Sequence, residues 1–229
     1  MTRLAALTWP EVAARASGGG PVLAVPVGAT EQHGPHLPLS TDTDIAVALA
    51  EGLADALPDI VVAPPVAYGS SGEHQGFAGT LSIGQEALES LLVELVRSGS
   101  ATFPRVVLVS AHGGNAQPVA RAVQQLRYEG REVSAWSPRW GGDAHAGRTE
   151  TSLMLALAPH RVHVERAEPG ATAPIGELLP HLRQGGLRAV TANGVLGDPT
   201  GANAPEGTAL LHRAVGELVA WVRRLKGDA

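Results

Sequence analysis

The chain has 229 residues, a formal net charge of −5, no cysteine and an apolar fraction of 44%. That fits one sizeable globular domain over residues 1–229 and excludes a disulfide scaffold, a thiolate zinc site and an iron–sulfur cluster. Its 17 basic residues, all arginine except Lys226, form no run; this argues against nucleic acid as a partner. No apolar stretch is long enough for a membrane span and none reads as a secretory leader, so a cytoplasmic protein away from membranes is expected.

In chain order, Thr8-Trp9-Pro10-Glu11 reads as a capping box opening a short helix that stops before Gly18-Gly19-Gly20. Pro21–Val27 is a continuous apolar run, as in a strand buried on both faces. Residues 28–41 form a loop rich in His and Pro. From Thr43, the spacing of Ile45, Leu49, Leu53 and Leu57 predicts a helix. Ile60–Ala63 is a second strand and residues 69–80 a Gly-rich loop. A helix carrying Leu88, Leu91, Leu92 and Leu95 follows, with Ser82 as the expected cap and Gln85 three residues on. Arg105–Ser110 is a third strand, His112–Asn115 a tight turn, and Val119, Val123 and Leu126 mark a helix ending at Gly130. Glu132–Trp136 is a fourth strand, residues 141–147 a loop and Thr149–Leu157 a helix. Residues 194–207 read as a long loop, a candidate substrate lid, before a C-terminal helix with Leu211, Val215, Leu218, Val222 and Leu225. Strands alternating with helices predict an α/β fold: a single-domain, doubly wound, mainly parallel sheet with helices on both faces.

Five of the nine histidines, His33, His36, His74, His112 and His145, fall in strand-to-helix loops, the edge at which open α/β sheets bind ligands. Glu31 and His33 are two apart and point the same way in an extended segment. An isolated Asp42 at a helix start is an N-cap; beside Glu31 and His33, a metal-bridging carboxylate is the better reading. His112 projects from the end of a Val/Leu strand, and the glycines after it permit close backbone approach. Glu150 falls in the first turn of a helix, a position that the helix dipole favours for any acid; a Gly hinge also lets it face one pocket with His145. Glu73 and His74 read equally well as solvated loop residues. Such His, Glu and Asp donors suit a divalent metal of borderline hardness, and Zn, Mn and Fe(II) all fit. A carboxylate shared by two ions holds them close together and supports hydrolysis.

At these segments the sequence resembles the creatininase (creatinine amidohydrolase) family. The resemblance rests on Glu31-Gln-His-Gly-Pro-His-Leu-Pro-Leu with Asp42, the His112-Gly-Gly-Asn115 turn, and His145-Ala-Gly with Glu150-Thr-Ser152. It implies a doubly wound α/β fold, two metal sites per subunit and cyclic homo-oligomers. It also implies that Glu31, Asp42 and His112 hold one metal, and that His33, Asp42 and a further Glu hold the other. The member acting on creatinine has that Glu two residues after the turn His, where this chain has Gly114; the role therefore passes to Glu150, and creatinine is not the expected substrate. Ser110-Ala111 stands where many members have Asn-Gly.

Ala67-Tyr-Gly-Ser-Ser-Gly-Glu-His-Gln75, Phe77-Ala-Gly-Thr-Leu-Ser-Ile-Gly84 and Asn193-Gly-Val-Leu-Gly-Asp-Pro-Thr200 resemble a peptide-processing branch of the family. That branch implies a modified precursor peptide as substrate, cut on the amino side of a C-terminal Val–Tyr-derived lactam. His145 is then the expected proton donor to the leaving amine, Glu73 orients water or substrate, and His36, His74 and Asn115 bind substrate. Two alternatives stand: a hydrolase of small cyclic amides or formamides, and a non-catalytic scaffold that keeps metal for structure.

Overall fold

The computed structural model describes residues 1–18 and 20–227. Its strands are β1 (Thr2–Arg3), β2 (Val22–Val27), β3 (Ile60–Val62), β4 (Arg105–Ser110) and β5 (Glu132–Trp136). They pair in parallel throughout, in the order β1-β3-β2-β4-β5. The helices are α1 (Trp9–Ala16), α2 (Thr41–Ala56), α3 (Gln85–Gly99), α4 (Ala116–Tyr128), α5 (Arg148–Leu157), α6 (Ile175–Gly185) and α7 (Ala204–Lys226).

The continuous apolar run of β2 is explained by two cores, one on each face of the sheet. Val22 and Ala24 pack with Ile45 and Leu49 of α2, Met154 of α5 and Leu218 of α7. Leu23, Val25 and Val27 point the other way, onto Leu88 and Leu92 of α3 and Leu126 of α4. Every residue of β2 is buried, so alternation in the pleat does not appear as alternation in polarity. At Gly207 of α7, an added Cβ would stand 1.8 Å from the carbonyl oxygen of Ser152 on α5; glycine there lets two helix backbones touch.

The order of the strands sets the site. From β2 the chain passes through α2 to β3 on one side, then returns through α3 to β4 on the other side of β2. The loops leaving β2 and β4 therefore diverge and open a crevice at the carboxyl ends of the strands. No helix among the described residues is long and apolar enough to cross a membrane.

Three local expectations are corrected. Ser82 does not cap α3: Gly84 is the N-cap at φ 78°, and the Ser82 hydroxyl accepts from the backbone N–H of Ser71 (2.9 Å) and Gly84 (3.2 Å). The long loop ends at Asn203, whose side chain caps α7 by accepting from the Glu206 N–H at 2.9 Å, so Gly207 is helical. Nor does that loop have the freedom of a lid at its start: Val195 is buried, and Leu196 bridges to His145. Helix α6 was not anticipated, although Ile175, Leu178, Leu179 and Leu182 carry its 3.6-residue spacing.

Candidate metal centre and active site

The loop after β2 is tied down before it delivers its acids. The Glu31 N–H donates to the Leu39 carbonyl at 3.0 Å, and the Gln32 N–H to the Thr80 hydroxyl at 3.1 Å. Gly34, at φ 65°, makes the turn that returns the chain to α2. Asp42 sits in the first turn of α2, whose N-cap is Ser40. It is therefore free of capping duty and turns inward, 3.3 Å from His33 Nε2 and 3.3 Å from His112 Nδ1. His112 stands directly beyond β4. After β5, the backbone of His145 pairs with Leu196, and Ala146 takes a left-handed φ of 51° although it is not glycine. That conformation costs of the order of 1–2 kcal/mol; it aims the Ala146 N–H at the Glu150 carboxylate, 2.5 Å away.

Four loops thus bring Glu31, His33, Asp42, His112, His145, Glu150, Glu73 and His74 to one crevice. Three sets place donor atoms within 4.8 Å of one another: Glu31, Asp42 and His112; His33, Asp42 and Glu150; and Glu31, His33 and His145. His112 Nε2 lies 3.2 Å from Glu31 Oε2, and His33 Nε2 lies 3.9 Å from Glu150 Oε2. Most of these contacts lack hydrogen-bond geometry. Both Glu31 oxygens, His33 Nε2 and Asp42 Oδ2 are buried without a hydrogen-bond partner. Buried polar atoms are ordinarily satisfied, and a convergent set of orphaned carboxylate and imidazole lone pairs is what a divalent cation requires. The donor set fits the group that the resemblance implies.

The electrostatics point the same way. Burial opposes charge on His33 and His112, but nearby carboxylates outweigh it and raise both to about 10; Asp42 is the main one for His33 and Glu31 for His112. Burial, then the Asp42 charge, pushes Glu31 up to about 8. Burial and Asp42 also raise Glu150. Burial alone would raise Asp42, yet His33 and His112 hold it well below the usual carboxylate range. Without metal, protons compensate the buried carboxylates. His74 is lowered to about 3 by burial and by the His33 and His112 charges. His145 is held well below its usual value by burial, then by His33 and His74.

The remaining expected residues divide. Glu73 lines the crevice, partly exposed, 4.0 Å from His112 Nε2. Glycine at 114 leaves it room: a Cβ there would lie 2.7 Å from Glu73 Oε1 and 2.3 Å from the Ser70 carbonyl oxygen. His74 also lines it, 3.3 Å from Glu31 Oε1. His36 lies behind it, with Nε2 2.8 Å from the Thr151 hydroxyl. Asn115 is committed to the scaffold: its Oδ1 accepts from the Ser70 N–H and its Nδ2 donates to the Gly28 carbonyl, both at 2.9 Å. Neither His36 nor Asn115 reaches the crevice wall.

Gln32 was not anticipated. Its Nε2 lies 3.1 Å from His74 Nδ1 and 3.0 Å from His145 Nε2, and it donates to the Gly194 carbonyl at 3.0 Å. Its own carbonyl lies 2.9 Å from His145 Nε2. A glutamine between a candidate acid and a candidate histidine was the only signal in the sequence.

The crevice opens into a cavity of about 590 Å³, with Glu31, Asp42 and Glu150 at its polar end and Trp140 and α6 on its apolar side. A larger hollow of about 1000 Å³ lies at the opposite, amino-terminal edge of the strands. Three ion pairs form among its lining residues, Arg105 with Glu132, Lys226 with Asp59 and Arg131 with Glu129, and it holds none of the convergent donors.

The chain is 51% identical over 215 residues to the mycofactocin precursor peptide peptidase of Mycolicibacterium smegmatis (strain ATCC 700084 / mc(2)155), covering 91% of this chain and 87% of that protein. It is 33% identical over 210 residues to the creatinine amidohydrolase of Pseudomonas putida, covering 76% and 79%. A crystal structure of creatinine amidohydrolase superposes with a TM-score of 0.82 at 28% identity, over 97% of each chain. A mutant described as a Zn-Zn type and a structure described as creatininase Mn each give 0.81 at 28% identity, covering 97% of this chain and 97% and 98% of theirs. The family profile for creatininase, creatinine amidohydrolase, matches residues 5–222. With that match, this fold and this cluster of acids and histidines, the chain belongs to the creatininase family and is a metal-dependent amidohydrolase.

Proposed function

We propose that the protein is a metallopeptidase that hydrolyses an amide bond of the modified mycofactocin precursor peptide and releases its C-terminal Val–Tyr-derived lactam fragment. The carrying observation is the 51% identity, over 91% of the chain, to a protein of that name. The cluster of orphaned donors at the head of a cavity far larger than a creatinine ring supports it.

In this reading two ions would be held in each subunit, one by Glu31, Asp42 and His112, the other by His33, Asp42 and Glu150, so that Asp42 would serve both sets. Zn and Mn occur in similar creatininases, and Fe(II) suits the same donors. When bound, such ions polarise an amide carbonyl and make a water nucleophilic at neutral pH. The chain's own residues do the rest. His145 donates its Nε2–H to the Gln32 carbonyl, so Nδ1 faces Glu31, 3.8 Å away. Held neutral by burial, Nδ1 accepts the proton of the attacking water and returns it to the leaving amine. Glu73, on the open side of His112, orients that water or the substrate amide. His74, anchored by Gln32, keeps Glu31 in place.

The test is mass spectrometry of the modified precursor peptide after incubation with the protein plus Zn, Mn, Fe(II) or a chelator. Release of the C-terminal fragment, abolished by the chelator, is the expected result. Metal-loaded protein that leaves the peptide intact with every ion would refute the reading, and turnover of a small cyclic amide by the same samples would replace it.

A further inference from the structure

Of the two α-helices that bury no residue, α1 and α6, only α6 lines the crevice. None of its residues is buried, yet its apolar residues Ile175, Leu178, Leu179 and Leu182 follow a helical stripe that ordinarily faces a core. Ile175 is 43% exposed and Leu179 40%. The stripe is not turned to bulk solvent: Ile175, Leu179 and Leu182 line the same cavity as Glu31, Asp42 and Glu150, and Leu187 and Leu196 extend that wall. Arg183, also on α6, is the one arginine or lysine among the described residues lining the cavity. It has no carboxylate within 4.0 Å among the described residues, whereas Arg97, Arg105, Arg121, Arg148 and Arg161 each have one. An apolar wall next to a free guanidinium, continuous with the candidate catalytic groups, is complementary to an apolar ligand that carries an anionic group.

We infer that α6 is the specificity element of this site: Ile175, Leu179 and Leu182 take up aliphatic or aromatic side chains of a peptide substrate beside the scissile amide, and Arg183 pairs with a carboxylate of that peptide. The inference rests on the peptidase reading and adds the part of the molecule that selects the peptide. The wall lies on a helix that contributes nothing to either core, so its residues can be replaced without cavities in the fold.

Two assays on one set of variants test it: Ile175→Ser/Leu179→Ser, Arg183→Glu and Arg183→Lys, each checked for wild-type metal content and thermal midpoint. The first assay is steady-state cleavage of the modified precursor peptide. The double variant should raise KM about tenfold with kcat within about twofold, since it removes apolar contact made equally by the bound substrate and the transition state. Arg183→Glu should raise KM by a similar factor, less so in high salt, and Arg183→Lys should restore most of it. The second assay needs no turnover: titration with 1-anilinonaphthalene-8-sulfonate, an aromatic anion, whose Kd should weaken about fivefold or more in the double variant and in Arg183→Glu. Wild-type KM in all variants, with the peptide still cleaved, overturns the inference and leaves the peptidase reading intact. If the wild-type protein does not cleave the peptide, the peptidase reading fails and the dye decides. Loss of affinity in the α6 variants then supports an apolar anionic ligand on this wall; unchanged affinity overturns it.

Discussion

Asp42 belongs to two of the three donor sets, whereas Glu150 belongs to one, and the two substitutions Asp42→Asn and Glu150→Gln should separate cleanly. In the metal-free protein the Asp42 carboxylate lies 3.3 Å from both His33 and His112 and keeps these buried imidazoles protonated. Asparagine keeps the shape and removes the charge. Breaking a buried charge pair of this kind costs about 3–5 kcal/mol; for a chain of this length each kcal/mol moves the midpoint roughly 2–4 °C, so the chelated variant should melt roughly 6–20 °C below wild type. Burial and the Asp42 charge raise Glu150, and its carboxylate stands 3.9 Å from His33, farther than Asp42 does, so Glu150→Gln should lower the chelated midpoint much less than Asp42→Asn. After reconstitution with Zn or Mn, elemental analysis should find Asp42→Asn nearly devoid of both ions and Glu150→Gln short of one. An Asp42→Asn protein that binds two ions per chain, or melts within about 2 °C of wild type when chelated, would refute the shared-carboxylate reasoning.

Metal binding should release protons, because His33 and His112 at about 10 and Glu31 at about 8 must give theirs up to become ligands; calorimetry in two buffers of different ionisation enthalpy measures this, with apparent affinity rising from pH 6 to pH 8. The His145→Ala variant should keep its metals and lose about 10²-fold or more in kcat; an unchanged kcat in the cleavage assay would remove the proton-transfer role. His36 is lowered from 6.5 to about 4 by burial, then by the His33 charge, so its contribution to stability is fully present above pH 6.5 and is lost as pH falls through 4. The His36→Gln protein should therefore show a shallower fall in thermal midpoint over that window than wild type. A methyl at 114 meets the Ser70 carbonyl oxygen at 2.3 Å and His112 Nε2 at 2.5 Å, so Gly114→Ala should destabilise by about 1–3 kcal/mol in a denaturant titration and lower metal affinity by displacing His112.

The sheet was legible because its strands are short apolar runs bounded by turn residues, and β4 and β5 fall where Arg105–Ser110 and Glu132–Trp136 predict them. The main helices were legible for the same reason: each presents a stripe to one of two cores. Helix α6 escaped because its stripe contains Pro180 and two glycines and is followed by Gly186, all of which read as loop. Its apolar face is spent on a cavity rather than a core, so nothing in the overall alternation of strand and helix required it. The Ser82 cap failed for a local reason: the hydroxyl had a better partner in the Ser71 N–H, eleven residues away, and no spacing rule for helix starts includes that competitor.

The acids and histidines of the centre could be read from the sequence because their side-chain chemistry is rare and each sits just past a strand. The residues that hold them in register could not, because their partners are fixed only when the chain closes. Gln32 meets His74, His145 and the Gly194 carbonyl across 42, 113 and 162 positions, and Gly194 is glycine because a Cβ there would stand 1.9 Å from the Gln32 carbonyl oxygen of the side chain. The strained Ala146 is explained at the same level: its left-handed φ is maintained by the His145–Leu196 bridge on one side and the Glu150 carboxylate on the other. Those constraints place the two candidate functional groups of this segment, His145 and Glu150, on one wall before any ligand arrives. Preorganisation of that kind lets a site draw on electrostatics that water would otherwise screen. It is set by distances between loops, so a motif of the right residues in the right order becomes a site only on a sheet whose strand order brings those loops to one edge.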